Sequence, residues 1–220
     1  MIVRSALNLL HGVREQTDAI GVAFSGGKDA HATLDLCCRV FRRVEAFYLY
    51  RVPGLQVIER LCDGVRRRYG VTVRHLPHFD LSRCFKFAVL QPHWAILDDT
   101  PRVTMHNVET AFRRDANVQW IAYGWRRSDS RSRAIILSNN RGRDDNARRL
   151  FPLRIWRRRD VLTYLRINRI PMPPAFGRDE QGGVDFHPAT LRYLRAFWPA
   201  DYAKILEMFP YAEIQVVSAD

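Results

Sequence analysis

Cysteine is scarce in this chain and confined to one end of it. The four residues are Cys37, Cys38, Cys62 and Cys84, and none follows residue 84. No two have C-x-x-C spacing, which argues against a zinc or iron–sulfur centre built from them. Buried thiols in a reducing compartment are the expectation. Lysine is scarcer still: only Lys28, Lys86 and Lys204 stand among 35 basic residues. No apolar run approaches the roughly 20 residues of a membrane-spanning helix. The opening stretch MIVRSALNLLHGVREQTD reads as an amphipathic helix rather than a signal peptide, since Arg4 and Arg14 bracket a short apolar run. The simplest location is the cytoplasm, with no membrane partner. There is no internal repeat and no low-complexity linker, so one domain with a helical C-terminal extension is the economical division.

What the chain does contain is an alternating pattern. Helix over 3–17 is followed by strand 20–24, helix 29–42, strand 44–50, helix 55–69 and strand 71–75. Ala32, Leu36 and Val40 keep helical spacing, and Gly70 has the character of a helix C-cap. Strand–helix alternation of this kind predicts an α/β fold, an open parallel twisted sheet with helices on both faces. Further on, residues 79–90 and 105–116 read as helices and 118–124 as a buried strand. Residues 125–149 lack apolar periodicity and read mainly as loop. Helix 159–168 is stopped by IPMPPAFG. HPATLRYLRAF and PADYAKILEMF are two more helices, each with proline near its start.

Charge is uneven. The formal net charge is +12 from 35 basic and 23 acidic residues. Residues 124–159 hold twelve arginines against Asp129, Asp144 and Asp145. Such a stretch suits an anionic partner, either nucleotide phosphate or DNA or RNA. The alternative is compositional: a chain that uses arginine almost everywhere shows arginine clusters.

The segment GVAFSGGKDAHATL joins the first strand to a helix. Gly26 and Gly27 let the backbone approach a ligand closely, and the helix that follows begins with unsatisfied N–H groups. Ser25 adds a hydroxyl and Lys28 a cation. Together they form an anion cradle at the strand's C-terminal end, where open parallel sheets bind ligands. The spacing fits neither G-x-x-x-x-G-K-[ST] nor G-x-G-x-x-G. A plain strand-to-helix turn, with Asp29 as an early acidic helix residue, is the competing reading.

FSGGKDA resembles the pyrophosphate loop, S-G-G-x-D-[ST], of the adenine nucleotide α-hydrolase-like superfamily. More narrowly, the chain resembles the phosphoadenosine phosphosulfate (PAPS) reductase-like family. GWRRSDSRSR places Gly124, Arg126, Ser130 and Arg133 at that family's G-x-R-x-x-x-S-x-x-R spacing. FPLRIWRRRDVLTYLRINRIP places Pro152, Trp156, Asp160, Val161 and Tyr164 on its P-x-x-x-W-x-x-x-D-V-x-x-Y pattern, with Ile170 and Pro171 beyond. The three blocks keep their order from residue 21 to about 177. The resemblance implies a nucleotide-binding domain over residues 1–178, with 179–220 as its helical extension. It implies that Ser25, Gly26, Gly27, Lys28 and Asp29 surround the phosphates of ATP or a related adenine nucleotide. By the same resemblance, Gly124, Arg126, Ser130 and Arg133 would complete the site, Asp29 would meet Mg2+, and Lys28, Asp29, Arg126 and Arg133 would carry the catalytic roles. The shared chemistry is cleavage between the α- and β-phosphates with transfer of AMP to a substrate.

Two departures qualify this. Ala30 stands where the family has Ser or Thr, removing one hydroxyl from the phosphates. The Glu-Cys-Gly-x-His element, whose cysteine attacks sulfur in sulfonucleotide reductases, has no counterpart here, and no iron–sulfur cluster is expected. Three expectations therefore stand: an adenylyl-transferring enzyme, acting on a nucleotide or nucleic acid; a non-catalytic nucleotide- or nucleic-acid-binding module; or a sulfonucleotide reductase-type protein using a partner's thiol. A homodimer is compatible with all three. His31 sits where it can face the phosphates, although a hydrogen-bonded helix histidine is the commoner case. His75, His78 and His93 lack metal-ligand spacing, and the adjacent Asp98 and Asp99 diverge in any regular element. Leu191, Leu194 and Phe197 have the spacing of a packing face, and the arginines among the neighbouring aromatics would also suit stacking on nucleic acid.

Overall fold

The structure is a computed structural model that describes residues 2–97, 99–171, 176 and 183–217. The helices are α1 (Ile2–Arg14), α2 (Lys28–Val40), α3 (Gln56–Tyr69), α4 (Leu81–Lys86), α5 (Met105–Ala116), α6 (Arg131–Asn139), α7 (Arg158–Ile167), α8 (Pro188–Phe197), α9 (Pro199–Met208) and α10 (Ile214–Val217). The strands are β1 (Ala19–Ala23), β2 (Arg43–Tyr50), β3 (Val73–Pro77), β4 (Ile121–Ala122), β5 (Arg143–Asp144) and β6 (Arg149–Leu150). They form one sheet in the order β3-β2-β1-β4-β6-β5. All neighbours are parallel except β5, which runs antiparallel to β6, so the expected open parallel sheet carries one antiparallel edge strand.

Side-chain alternation along β1 explains the three layers. Ile20, Val22 and Phe24 enter a large apolar cluster with Leu10 of α1, Leu34 and Leu36 of α2, and Ile58 of α3. Ala19 and Ala23 face a second cluster built on Phe112 of α5, with Phe47 of β2 packed against Phe112 at 4.5 Å between ring centres. A strand buried on both faces is continuously apolar, and AIGVA is. Each fully buried Leu, Ile or Phe contributes about 1.5–3 kcal/mol. Helix α2 is buried almost all round, because α1 and α7 cover the side that the sheet does not.

The expected elements over 3–77 are present within two or three residues, and Gly70 caps α3 in the left-handed conformation, φ 68°. The strand expected over 118–124 forms its ladder only at Ile121 and Ala122. The loop expected over 125–149 is corrected: it contains α6 and the short β5. The reason is that α6 has no apolar face to read. Only Leu137 is buried, while Ile135 and Ile136 are exposed. IPMPPAFG lies mostly outside the described residues, as does Asp98.

The C-terminal helices join the large cluster through Leu191, Leu194, Ile205 and Phe209; Phe197, expected to pack, is 68% exposed. Asp201 of α9 is 1% exposed and accepts from the first amides of α3, Gln56 N–H at 2.8 Å and Val57 N–H at 2.9 Å. Lys204 Nζ donates to the Gly54 carbonyl at 2.6 Å beside it.

Candidate functional site

The sheet order reverses between β1 and β4. Chain segments leaving these strands turn to opposite sides, and the crevice between them is where such sheets bind ligands. From β1 the chain passes through Ser25, Gly26 and Gly27 into α2. Gly26 has φ +78°, a conformation L side chains rarely adopt. Gly27 is the N-cap and contributes no side-chain hydrogen bond to the first turn. The leading amides of α2 therefore carry their partial positive charge without a side-chain cap. Ser25 is exposed beside them, and its carbonyl is approached by the Gly183 backbone.

From β4 the chain passes through Tyr123, Gly124 and Trp125 to Arg126. A Cβ on Gly124 would lie 2.9 Å from the carbonyl carbon and oxygen of Asp29. The glycine is required by that approach, which brings Arg126 to the first turn of α2.

The charged side chains then alternate in sign. Lys28, 1% exposed, sits with Nζ 3.0 Å from Asp29 Oδ2. Arg126, 4% exposed, holds Nε 3.1 Å from Asp29 Oδ1 and forms an ion pair from Nη2 to Asp129 Oδ1 at 2.7 Å. Arg133 Nη1 donates to Asp129 Oδ2 at 2.8 Å, and its guanidinium lies 4.9 Å over the Trp125 ring. The Arg126 backbone N–H also donates to Asp129 Oδ2, at 2.9 Å. Three cations thus flank two carboxylates. The Asp29–Arg126 pair is close enough for attraction but not aligned as a hydrogen bond, leaving Asp29 Oδ1 and Arg126 Nε buried without one. Burial raises the Asp29 carboxyl above its ordinary value, against the opposing pull of Lys28 and Arg126. These orphaned atoms face each other between the first turn of α2 and the segment leaving β4.

The sequence motifs named most of this network. Lys28, Asp29, Gly124, Arg126 and Arg133 are brought together, with Ser25, Gly26 and Gly27 adjoining. Ser130 does something else: its Oγ accepts from Arg133 N–H at 3.2 Å and caps α6. Asp129 was missed, although its position three after Arg126 and four before Arg133 was the available signal. Also missed was Glu109, 1% exposed, which accepts from Arg149 Nε at 2.8 Å, Arg113 Nη1 at 3.2 Å and the Tyr123 hydroxyl.

His31 is 8% exposed, with its ring edge-on to Phe24 at 4.9 Å and Nε2 unpartnered. Burial pushes it down to about 4, so it is neutral. The thiols lie elsewhere, on α2, α3 and α4. Burial pushes Cys38 and Cys62 up to about 12 and raises Cys37 and Cys84, so none of the four is activated. His75 packs against Cys62 Sγ at 3.4 Å and His93 against Trp94.

Among the described residues no three of His, Cys, Asp and Glu gather as metal ligands. The donor set does not fit a metal held by protein alone. It would fit a magnesium ion delivered with phosphates, which asks the protein for one carboxylate, and Asp29 Oδ1 is a carboxylate oxygen left without a hydrogen bond.

Comparison with known proteins agrees with this fold. The family model described as the phosphoadenosine phosphosulfate reductase domain matches residues 19–179. The chain belongs to that family. Its fold is also that of the crystal structure of phosphoadenylyl-sulfate (PAPS) reductase from Candida auris in a phosphate complex. The TM-score is 0.50 and the identity 14%, over 77% of this chain and 82% of that one. Among curated proteins none matches the chain. No helix among the described residues is long and apolar enough to cross a membrane.

Proposed function

We propose that this chain binds an adenine nucleotide with its phosphates over the uncapped start of α2, and transfers AMP from ATP to an anionic acceptor. The observation that carries the reading is the seat of Gly124 on the Asp29 backbone, which puts Arg126 beside the loop at the β1/β4 reversal. Loop amides and Lys28 hold the phosphates, while Arg126 and Arg133 face the charge that develops on the leaving group. An acceptor oxygen attacks the α-phosphorus, the bond to the bridging oxygen of the β-phosphate breaks, and pyrophosphate leaves with that electron pair. The acceptor's proton passes to solvent. Asp29 is the carboxylate that would meet a magnesium ion carried by the phosphates, and such an ion neutralises phosphate charge. Arg127, Arg131 and Arg141 are exposed and make no ion pair with the described residues, which favours a nucleotide or nucleic acid as acceptor.

Sulfonucleotide reduction by this chain alone is disfavoured, because its thiols lie outside the charged network. A second reading is supported by the pairing of Lys28, Arg126 and Arg133 with Asp29 and Asp129. Cations already neutralised can hold a nucleotide without driving its cleavage. Incubation with magnesium and α-labelled ATP, with and without DNA, RNA and nucleotides, separates these. Label on an acceptor with released pyrophosphate supports transfer. Saturable binding without turnover supports the second reading. Sulfite from a sulfonucleotide and reduced thioredoxin would overturn both. Unchanged ATP affinity after joint Ser25→Ala and Lys28→Ala substitution would remove the loop from the site.

A further inference from the structure

A second set of donors lies on the same edge of the sheet, away from the loop. β2 and β3 end in register at Tyr50 and Pro77, so Arg51 and His78 leave the sheet side by side. His78 N–H donates to the Tyr50 carbonyl at 2.8 Å, which fixes that geometry. Its ring Nδ1 accepts from the Asp80 backbone N–H at 3.0 Å. Burial and the adjacent Arg51 push the imidazole down to about 4, so it is neutral at pH 7. A neutral ring whose Nδ1 accepts must carry its proton on Nε2. That Nε2–H lies 3.4 Å from Arg51 Nη2. Two donors therefore confront each other with no acceptor between them.

Among the described residues no acceptor stands between them. Arg51 is half-buried and makes no ion pair and no other hydrogen bond with the described residues. Asp80 is engaged by Arg83 at 2.7 Å. Asp185 lines a small cavity with Arg51 and Tyr48, and its Oδ1 accepts from His187 N–H at 3.1 Å and the Thr190 hydroxyl at 2.9 Å. A partly desolvated guanidinium facing another donor is unfavourable unless an acceptor enters.

We propose that Arg51 and His78 form a second oxyanion site, taking a phosphate, sulfate or carboxylate group between the guanidinium and the imidazole N–H. Adjacent strands are about 4.8 Å apart, so β2 and β3 set this pair roughly 5–10 Å along the sheet edge from the β1 loop. The group belongs either to the nucleotide beyond its phosphate chain or to the co-substrate. This deepens the nucleotide reading, but the donors themselves do not depend on the loop.

The test follows the His78 ring nitrogens by NMR while inorganic phosphate, or ATP, is added to the full chain. Saturable movement of the Nε2–H signal with inorganic phosphate is expected in the wild type and in Lys28→Ala. It should vanish in Arg51→Met and persist with about tenfold weaker affinity in Arg51→Lys, which keeps the charge and guards against a variant that fails to fold. Movement with ATP alone assigns the group to the nucleotide. Movement only when phosphate is added over saturating ATP assigns it to the co-substrate; either outcome supports the site. A His78 signal unmoved by both, or moving equally in Arg51→Met, overturns it. The Gly26 and Gly27 amides report the loop separately, so failure of the nucleotide reading shows as unmoved glycine signals and is not confused with failure here.

Discussion

The two halves of the sheet are held by different forces. β1, β2 and β3 have five, eight and five residues and alternate apolar side chains into two cores. β4, β5 and β6 have two residues each. Arginines make up what their ladders lack. Arg113 binds the carbonyls of Gln119 and Ala147 at 3.0 and 2.7 Å, and Arg143 and Arg148 lie over the Trp120 ring. The buried carboxylate of Glu109 gathers Arg113 and Arg149. The lesson is that part of the arginine density in 124–159, namely Arg143, Arg148 and Arg149, is internal carpentry. Electrostatic mortar holds the half where hydrogen-bond ladders are short, and the candidate site lies on the seam between the halves.

Breaking the mortar should have the largest effect. Glu109→Ala leaves Arg149 and Arg113 unpaired and should cost about 3–5 kcal/mol, read as a lowered urea midpoint. A loss below about 1 kcal/mol would mean that the short-stranded half is held by packing after all.

The apolar half has one weak point of its own, His31. Its folded value of about 4 lies below the ordinary 6.5, so the stability it contributes is fully present above pH 6.5 and is lost as pH falls from 6.5 toward 4. The loss reaches about 3 kcal/mol, at about 1.4 kcal/mol per pH unit. His31→Leu should remove about one proton from the pH dependence of unfolding over that window. An unchanged slope would mean the ring gains a proton freely in the folded state.

The seam comes next. Gly124→Ala forces the exit of β4 from the first turn of α2 and should cost about 1–3 kcal/mol while weakening ATP binding at least tenfold by calorimetry. Lost stability with intact binding would detach Arg126 from the ligand.

The smallest effect concerns Asp129, whose carboxylate occupies the arginines that a phosphate would use. Asp129→Asn should tighten pyrophosphate binding about fivefold to tenfold. Weaker binding would show that Asp129 aims the arginines rather than competing for them.

Legibility in the sequence follows the same division. Residues 3–77 were readable because long apolar elements have a period, and the loop because its glycines sit between a strand and a helix. Two-residue strands have no period, and α6 buries one leucine, so both were invisible. The loop residues Lys28 and Asp29 were legible from their place between a strand and a helix, and Gly124, Arg126 and Arg133 only through the resemblance to the family's motif. Glu109 was not: its partners are spread from residue 113 to residue 149 and meet only after folding. The Arg51–His78 pair depends on which ring nitrogen holds a proton, and no spacing encodes that.

Asp201 has one more consequence. Both α2 and α3 begin at the edge of the sheet where ligands arrive, and each start is a ready anion receptor. The carboxylate of α9 plugs the second receptor from within, while the first is left open behind Gly27. The C-terminal helices thereby act as a stopper for one of these two starts, so that on the proposed nucleotide reading an arriving phosphate would meet the start of α2 rather than that of α3.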